Sequence, residues 1–181
     1  MTAAPTTPNP RHYRTVVDAP IGPVVLVATD DALRRIGWHD ESGAHREKGI
    51  DDVVDVDGPD EHPILARTAT QLAEYFAGDR TTFDLPLDPE GTEFQLEAWQ
   101  ALRAIPFGET RSYRDQATTI GRPTAVRAIG AANGRNPIPI VVPCHRVVGA
   151  DGSLTGFAGG VETKAWLLDH EARHSGLFAA R

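Results

Sequence analysis

Short apolar runs separated by turn residues fill the first forty positions of the chain. His12–Val17, Val24–Thr29 and Leu33–Trp38 are β-prone, and Pro20-Ile-Gly-Pro23 and Asp30-Asp31 punctuate them, so the spacing predicts a β-meander. Residues Asp40–Glu61 are rich in Asp and Gly and show no period. They predict a long exposed loop containing one short strand at Val53, Val54 and Val56. Leu65, Ala69, Leu72, Tyr75 and Phe76 then recur at helical spacing, and Gly78 stands where a helix C-cap belongs. Phe83–Leu87, bounded by Pro86 and Pro89, reads as a linker and places a boundary near residue 90.

The second half carries helical periodicity. Thr92-x-x-Gln95 fits a capping box, and Phe94, Trp99, Leu102 and Ile105 supply an apolar stripe that Pro106-Phe-Gly108 ends. Ser112 fits the cap of a second helix running through Ile120 and stopped by Gly121. Pro123 suits the first turn of a third, running to about Ala132. Two short helices joined by Gly121-Arg122-Pro123 have the outline of a helix-turn-helix. The last strong pattern is Glu162–His170, with Trp166, Leu167 and Leu168 on its buried side. The pattern contains no internal repeat. It predicts a flexible tail over 1–10, an amino-terminal α/β domain over 11–90 and a carboxy-terminal domain over 91–181.

Composition narrows the class. Of 181 residues, 40% are hydrophobic and 24% charged, the balance of a globular chain. No apolar run approaches the ~20 residues of a membrane span, so no membrane association is expected. The first ten residues lack the apolar core of a secretory signal. With one cysteine, Cys144, neither a disulfide framework nor a multi-thiolate zinc site can form, and a reducing, cytoplasmic location is expected. The net charge of −7 argues at face value against a nucleic-acid partner. The charge is unevenly spread, however. Residues 1–90 hold eight basic and seventeen acidic side chains, a net of −9, whereas residues 91–181 hold ten and eight, a net of +2.

The segment Asn136-Pro-Ile-Pro-Ile-Val-Val-Pro-Cys-His-Arg-Val-Val148 stands out chemically. Pro137, Pro139 and Pro143 forbid a helix, and Ile138, Ile140, Val141 and Val142 predict burial. The only thiol follows, with His145 and Arg146 beside it. Two potentially cationic neighbours are expected to lower the thiol pKa from its free value of ~8.5. Taken by itself, a lone cysteine is more often an inert packing residue, and composition leaves the two readings level.

Pro143-Cys144-His145-Arg146-Val147, preceded by Asn136-Pro137, closely resembles the active-site signature of the O6-alkylguanine-DNA alkyltransferases (methylated-DNA–protein-cysteine methyltransferases). The resemblance runs through Phe94–Trp99, Ile105-Pro-Phe-Gly-Glu-Thr-Arg-Ser-Tyr113, Arg127-Ala-Ile-Gly130, Leu154-Thr-Gly156, Gly159-Gly160 and Lys164-Ala-Trp-Leu-Leu168, ending at Glu171. It implies an α+β fold: a small amino-terminal α/β domain of RNase H-like kind, then a mainly α, winged-helix-like domain with a helix-turn-helix. It also implies direct-reversal DNA repair. The O6-alkyl group of guanine moves once and permanently onto Cys144, with no cofactor.

The resemblance gives His145 the role of general base acting through a water, and Glu171 the role of orienting His145. Asn136 holds the active-site turn, and Tyr113 donates to the guanine and helps rotate the nucleotide. Arg127 fills the gap left by the flipped base, on a slender helix with Ala128 that enters the minor groove. Arg111, Arg135, Arg114 and Arg122 are candidate phosphate contacts. Val147, Phe157, Ala158 and Asn133 are expected around the alkyl pocket. Phe157 stands where the family more often carries Tyr, so one polar contact is lost there. Without the family, Glu171 reads as a surface helix residue, Asn136 as a plain turn residue, Tyr113 as packing and Arg127 as solvated. The implied partner is double-stranded DNA containing O6-alkylguanine, met by a monomer, with cooperative assembly along DNA left open.

Two readings from other classes compete. One is a non-enzymatic sensor of alkylated DNA that recruits other repair factors; its relatives lack the cysteine that this chain has. The other is a cysteine hydrolase, for which no triad spacing is present.

Overall fold

The fold is described from a computed structural model, which describes residues 11–38 and 52–176. The predicted tail and most of the predicted 40–61 loop lie outside those residues.

The predicted meander forms. β1 (His12–Val17), β2 (Val24–Ala28) and β3 (Leu33–Trp38) pair antiparallel in sequence, and β4 (Val53–Asp55) adds parallel to β1, giving the order β3-β2-β1-β4. β2 is central and buried at every position, as its unbroken run of Val, Leu and Ala demands. The helix α1 (Pro63–Ala77) lays Leu65, Thr68, Leu72 and Tyr75 inward. Gly78 ends it at φ 85°, a left-handed turn favourable to glycine.

The predicted linker is an ordered strip along the open edge of β3. Leu33 exchanges backbone hydrogen bonds with Pro86 (2.8 Å) and Asp88 (3.1 Å), and Arg34 forms ion pairs with Asp88 and Glu90. An edge strand left bare would offer unpaired amides, and this strip covers them. Farther along the same edge, Ile36 N–H donates to the Pro137 carbonyl at 2.9 Å. The amino-terminal sheet thereby holds the cysteine segment directly.

In the second half, α2 (Glu93–Leu102) starts at the predicted Thr92/Gln95 capping box, and α3 (Tyr113–Thr119) is capped by Ser112. The third helix, α4 (Val126–Asn133), begins three residues later than Pro123 suggested. Residues 122–125 instead close a turn through Ala125 N to Arg122 O, at 2.9 Å. A two-stranded parallel pair that the pattern did not predict, β5 (Arg111–Ser112) and β6 (Val147–Val148), ties this helix-turn-helix to the cysteine segment.

The last helix, α5 (Gly160–His174), is longer than predicted, and its buried stripe is Lys164, Leu167, His170 and Glu171. Trp166 and Leu168, expected inside, are only half-buried. Leu167 is fully buried as expected, but polar side chains with built-in partners hold the other inward positions, which hydrophobicity did not locate. One core runs through both halves, from Leu26, Leu33 and Leu72 to Leu102, Ile138, Val147 and Leu167.

Candidate active site

Asn136 shapes the turn ahead of the thiol. Its Oδ1 accepts the Ile138 amide at 3.0 Å, and its Nδ2 donates to the Val142 carbonyl at 2.7 Å. Asx geometry of this kind stands in for the amides that the flanking prolines cannot supply. Within the turn Ile140 sits at φ 73°, a left-handed conformation that a β-branched residue adopts only under strain. Val142 O also accepts the Cys144 amide at 2.8 Å.

Cys144–Arg146 forms one 3-10 turn rather than extended chain. Successive side chains on such a turn diverge by roughly 120°. Arg146 therefore points away from the sulfur. Its Nε and Nη2 fork the Glu171 carboxylate at 2.9 Å each, while Nη1 donates to Ile105 O at 2.6 Å.

Glu171 is 1% exposed, not a surface residue. It also accepts from Tyr75 Oη at 2.8 Å and from the Gly108 amide at 3.0 Å, and His145 Nε2 lies 2.8 Å from its Oε1. Burial raises the carboxyl pKa, but the His145 and Arg146 contacts outweigh it and hold the group well below the usual carboxylate range. An ionised Glu171 requires that His145 Nε2 carry the proton and donate. Burial, with Arg146 and Lys164 adding to it, lowers the His145 pKa below 6.5 despite the pull of Glu171. The imidazole is therefore neutral, and its buried Nδ1, which has no protein partner, is the basic lone pair.

The expected low thiol pKa is not what the structure gives. Burial pushes Cys144 up to about 11, against the hydrogen bond with Asn136 and the charge of Lys164. The two neighbours invoked from sequence do not act as cations on it: His145 is neutral, and Arg146 is spent on Glu171. The resting sulfur is a thiol that needs a base.

Above this layer a cavity of about 560 Å³ opens between the helix-turn-helix and the loop before α5, with Tyr113, Arg127, Gly130, Thr155, Phe157 and Ala158 on its wall. Its size suits a small aromatic ligand. Tyr113 Oη accepts from Thr155 Oγ1 at 3.1 Å. Phe157 meets the His145 ring edge-on, with centroids 6.5 Å apart. Lys164, fully buried, donates to Val147 O at 2.6 Å and Thr155 O at 3.0 Å, fastening cavity wall to cysteine segment.

Asn133 and Val147 are buried and are not on the wall of this cavity. Asn133 exchanges a pair of hydrogen bonds with Gln116 (2.7 and 3.1 Å) inside the helix-turn-helix, which fixes its side chain there. Val147 is a core residue with no exposure. On α4, Arg127, Ala128 and Ala131 are exposed, and so is Arg135 just beyond its end. Arg111 is exposed and paired with Glu109, an interaction weak enough to yield to phosphate. Arg122 instead pins α2, pairing with Glu97 and lying over Phe94.

Sequence reasoning missed Lys164, Tyr75 and the true work of Arg146. For Lys164 a signal existed: it lies three residues before Leu167, inside the apolar stripe. Tyr75 read only as one more apolar helix position.

A buried thiol, the carboxylate-held imidazole that follows it and a cavity whose Phe157 wall meets that imidazole fit a group-transfer site. The comparisons agree. Residues 12–89 match the 6-O-methylguanine DNA methyltransferase, ribonuclease-like domain, and residues 93–173 the 6-O-methylguanine DNA methyltransferase, DNA binding domain. The chain is 48% identical to a methylated-DNA–protein-cysteine methyltransferase of Mycolicibacterium paratuberculosis, over 91% of this chain and 94% of that one. It is 45% identical to the constitutive enzyme of Bacillus subtilis, over 88% and 95%. The solved Mycobacterium tuberculosis O6-methylguanine methyltransferase superposes with a TM-score of 0.77 at 41% identity, covering 90% and 94% of the two chains. The Mycobacterium tuberculosis protein in complex with DNA gives 0.77 at 40%, covering 91% and 94%. The chain belongs to the 6-O-methylguanine DNA methyltransferase family.

Proposed function

We propose that the protein repairs DNA by direct reversal, accepting the O6-alkyl group of guanine on Cys144. The observation that carries this reading is a buried thiol beside a neutral imidazole whose other nitrogen is held by an ionised carboxylate. The Cys144 proton passes through a water to His145 Nδ1 as sulfur attacks the alkyl carbon. The S–C bond forms, the C–O6 bond breaks, and the departing guanine takes a proton, with the Tyr113 hydroxyl as donor and solvent restoring it. The thioether has no route back to a thiol, so each chain acts once. Acceptor and base are both protein groups, and the step needs no cofactor.

The target atom is inaccessible in a duplex, so the nucleotide must be flipped into the cavity at a cost of a few kcal/mol. Arg127 fills the vacated stack. Ala128 and Ala131 keep the exposed face of α4 slender enough for the minor groove. Arg111, Arg114 and Arg135 meet phosphates, and Phe157 and Ala158 border the alkyl group. We assign 11–90 and 91–181 as the two domains, a monomer as the acting unit, and the cytoplasm as its location. No helix among the described residues is long and apolar enough to cross a membrane.

Mixing wild type and Cys144→Ala with duplex carrying labelled O6-methylguanine tests the reading. Label should move only to wild type while both bind DNA; label on the variant would refute Cys144 as acceptor. Binding without transfer by wild type would favour the sensor.

A further inference from the structure

We propose that Tyr75, supplied by the amino-terminal domain, is a positioning residue for the transfer: its hydroxyl holds the Glu171 oxygen that fixes the His145 ring. The proposal rests on the roles given above to Cys144, His145 and Glu171. Tyr75 has no exposure, and its ring is enclosed by Phe76, Phe83, Phe107 and His170. Phenylalanine would satisfy that packing equally well. A buried phenol is unfavourable unless its hydroxyl is bonded, and this one donates to Glu171 Oε1 at 2.8 Å. The backbone of the same residue is fixed too, since Tyr75 O lies 2.8 Å from His170 Nε2. Two consecutive residues of α5 are thus gripped by one residue of α1.

The chemistry follows from sharing. Oε1 is the acceptor for His145 Nε2, Arg146 Nη2 and Tyr75 Oη together. A phenol donating to this oxygen withdraws charge from it, and the carboxylate then pulls less strongly on the imidazole. Removing the phenol concentrates charge on Oε1 and stabilises imidazolium, so His145 holds a proton to higher pH and is lost as a base. The other charged or titratable groups around the pair are Cys144, Arg146, Lys164 and His170, with His174 behind His170, and none of them has a hydrogen bond with the Tyr75 hydroxyl. Burial and the negative charge of Glu171 keep the phenol itself protonated, hence always a donor.

The test uses the full chain, a duplex bearing one labelled O6-methylguanine, and rapid-quench single turnovers across the acidic pH range. Tyr75→Phe should bind the duplex as wild type does, transfer roughly tenfold more slowly, and show its acidic limb displaced to higher pH. A fluorotyrosine placed at 75 keeps the shape but donates more strongly, and should displace the limb to lower pH. A Tyr75→Phe protein with the wild-type rate and limb overturns the proposal, whatever its melting temperature. If Tyr75→Phe fails to fold, an unmoved limb in the fluorotyrosine protein overturns it instead. Cys144→Ala in the same assay separates the two levels: methyl uptake by that variant defeats the underlying reading, whereas an inactive Cys144→Ala with an indifferent Tyr75→Phe defeats only this inference.

Discussion

His145 Nε2 stands 2.8 Å from Glu171 Oε1, with both side chains sealed from solvent. The contact occupies one ring nitrogen and leaves the other, buried Nδ1, as a basic lone pair on the residue next to Cys144. It also joins two segments that are 26 residues apart in sequence, so the relay exists only when α5 is docked.

Glu171→Gln keeps the shape but removes the charge that Arg146, Tyr75 and the Gly108 amide were arranged to meet. Transfer should fall by about a hundredfold, the scale of a lost general base. Stability should fall by about 3–5 kcal/mol, because Arg146 remains as a buried, uncompensated cation. Urea unfolding and single-turnover kinetics on the same preparation measure both.

The pH dependence of stability has a definite sign on each side. His145 has a folded pKa below 6.5, so the unfolded chain binds its proton first and stability is lost as pH drops through that range. Glu171, depressed from 4.5, adds a second loss at lower pH. Cys144 is raised from 9.0 to about 11, so its contribution is complete below 9.0 and fades as pH rises toward 11. Urea midpoints should form a plateau between 6.5 and 9.0 and fall on both sides.

Lys164→Met should leave the buried Val147 carbonyl without its donor and the Thr155 carbonyl with only the longer 3.5 Å contact from Tyr113 Oη. A loss of about 2 kcal/mol or more is expected. Hydrogen exchange should quicken across the 148–160 loop, which this ammonium fastens to the cysteine segment.

Gly159 has no room for a side chain, since a Cβ there would sit 2.4 Å from the Trp38 indole. Trp38 also meets Phe157 edge-on at 5.4 Å, so the clash bears on the cavity wall. Gly159→Ala should lose stability and slow transfer, and Trp38→Leu should recover part of both. A double-mutant cycle reads the coupling.

Arg135→Ala should weaken binding to duplex across sequences and lower the salt slope by about 1, the loss of one phosphate contact. Fluorescence anisotropy over a salt series measures it.

Much of this architecture was legible in the sequence. Thr92/Gln95 and Ser112 marked their helices because capping is local chemistry, and Gly78 marked a helix end because few other residues tolerate its φ. The Cys144 segment was legible because prolines and a lone thiol beside His145 are a rare combination. What stayed hidden was long-range. Nothing local shows that Tyr75 reaches Glu171, 96 residues away, or that Pro86–Asp88 lies along β3. Nor could local reasoning give the sign of the thiol shift. Adjacency to Arg146 implied a lowered pKa, but the guanidinium turns to Glu171 and burial decides. The surroundings of Asn133 stayed hidden for the same reason, since only the fold reveals Gln116 as its partner.

The most direct measurement is the intact mass of the protein after mixing with duplex DNA containing O6-methylguanine. One methyl group per chain should be gained, permanently, with peptide mapping placing it on Cys144 and a second addition of DNA producing no further change. An unaltered mass, or a methyl group mapped to any other residue, would contradict transfer to Cys144.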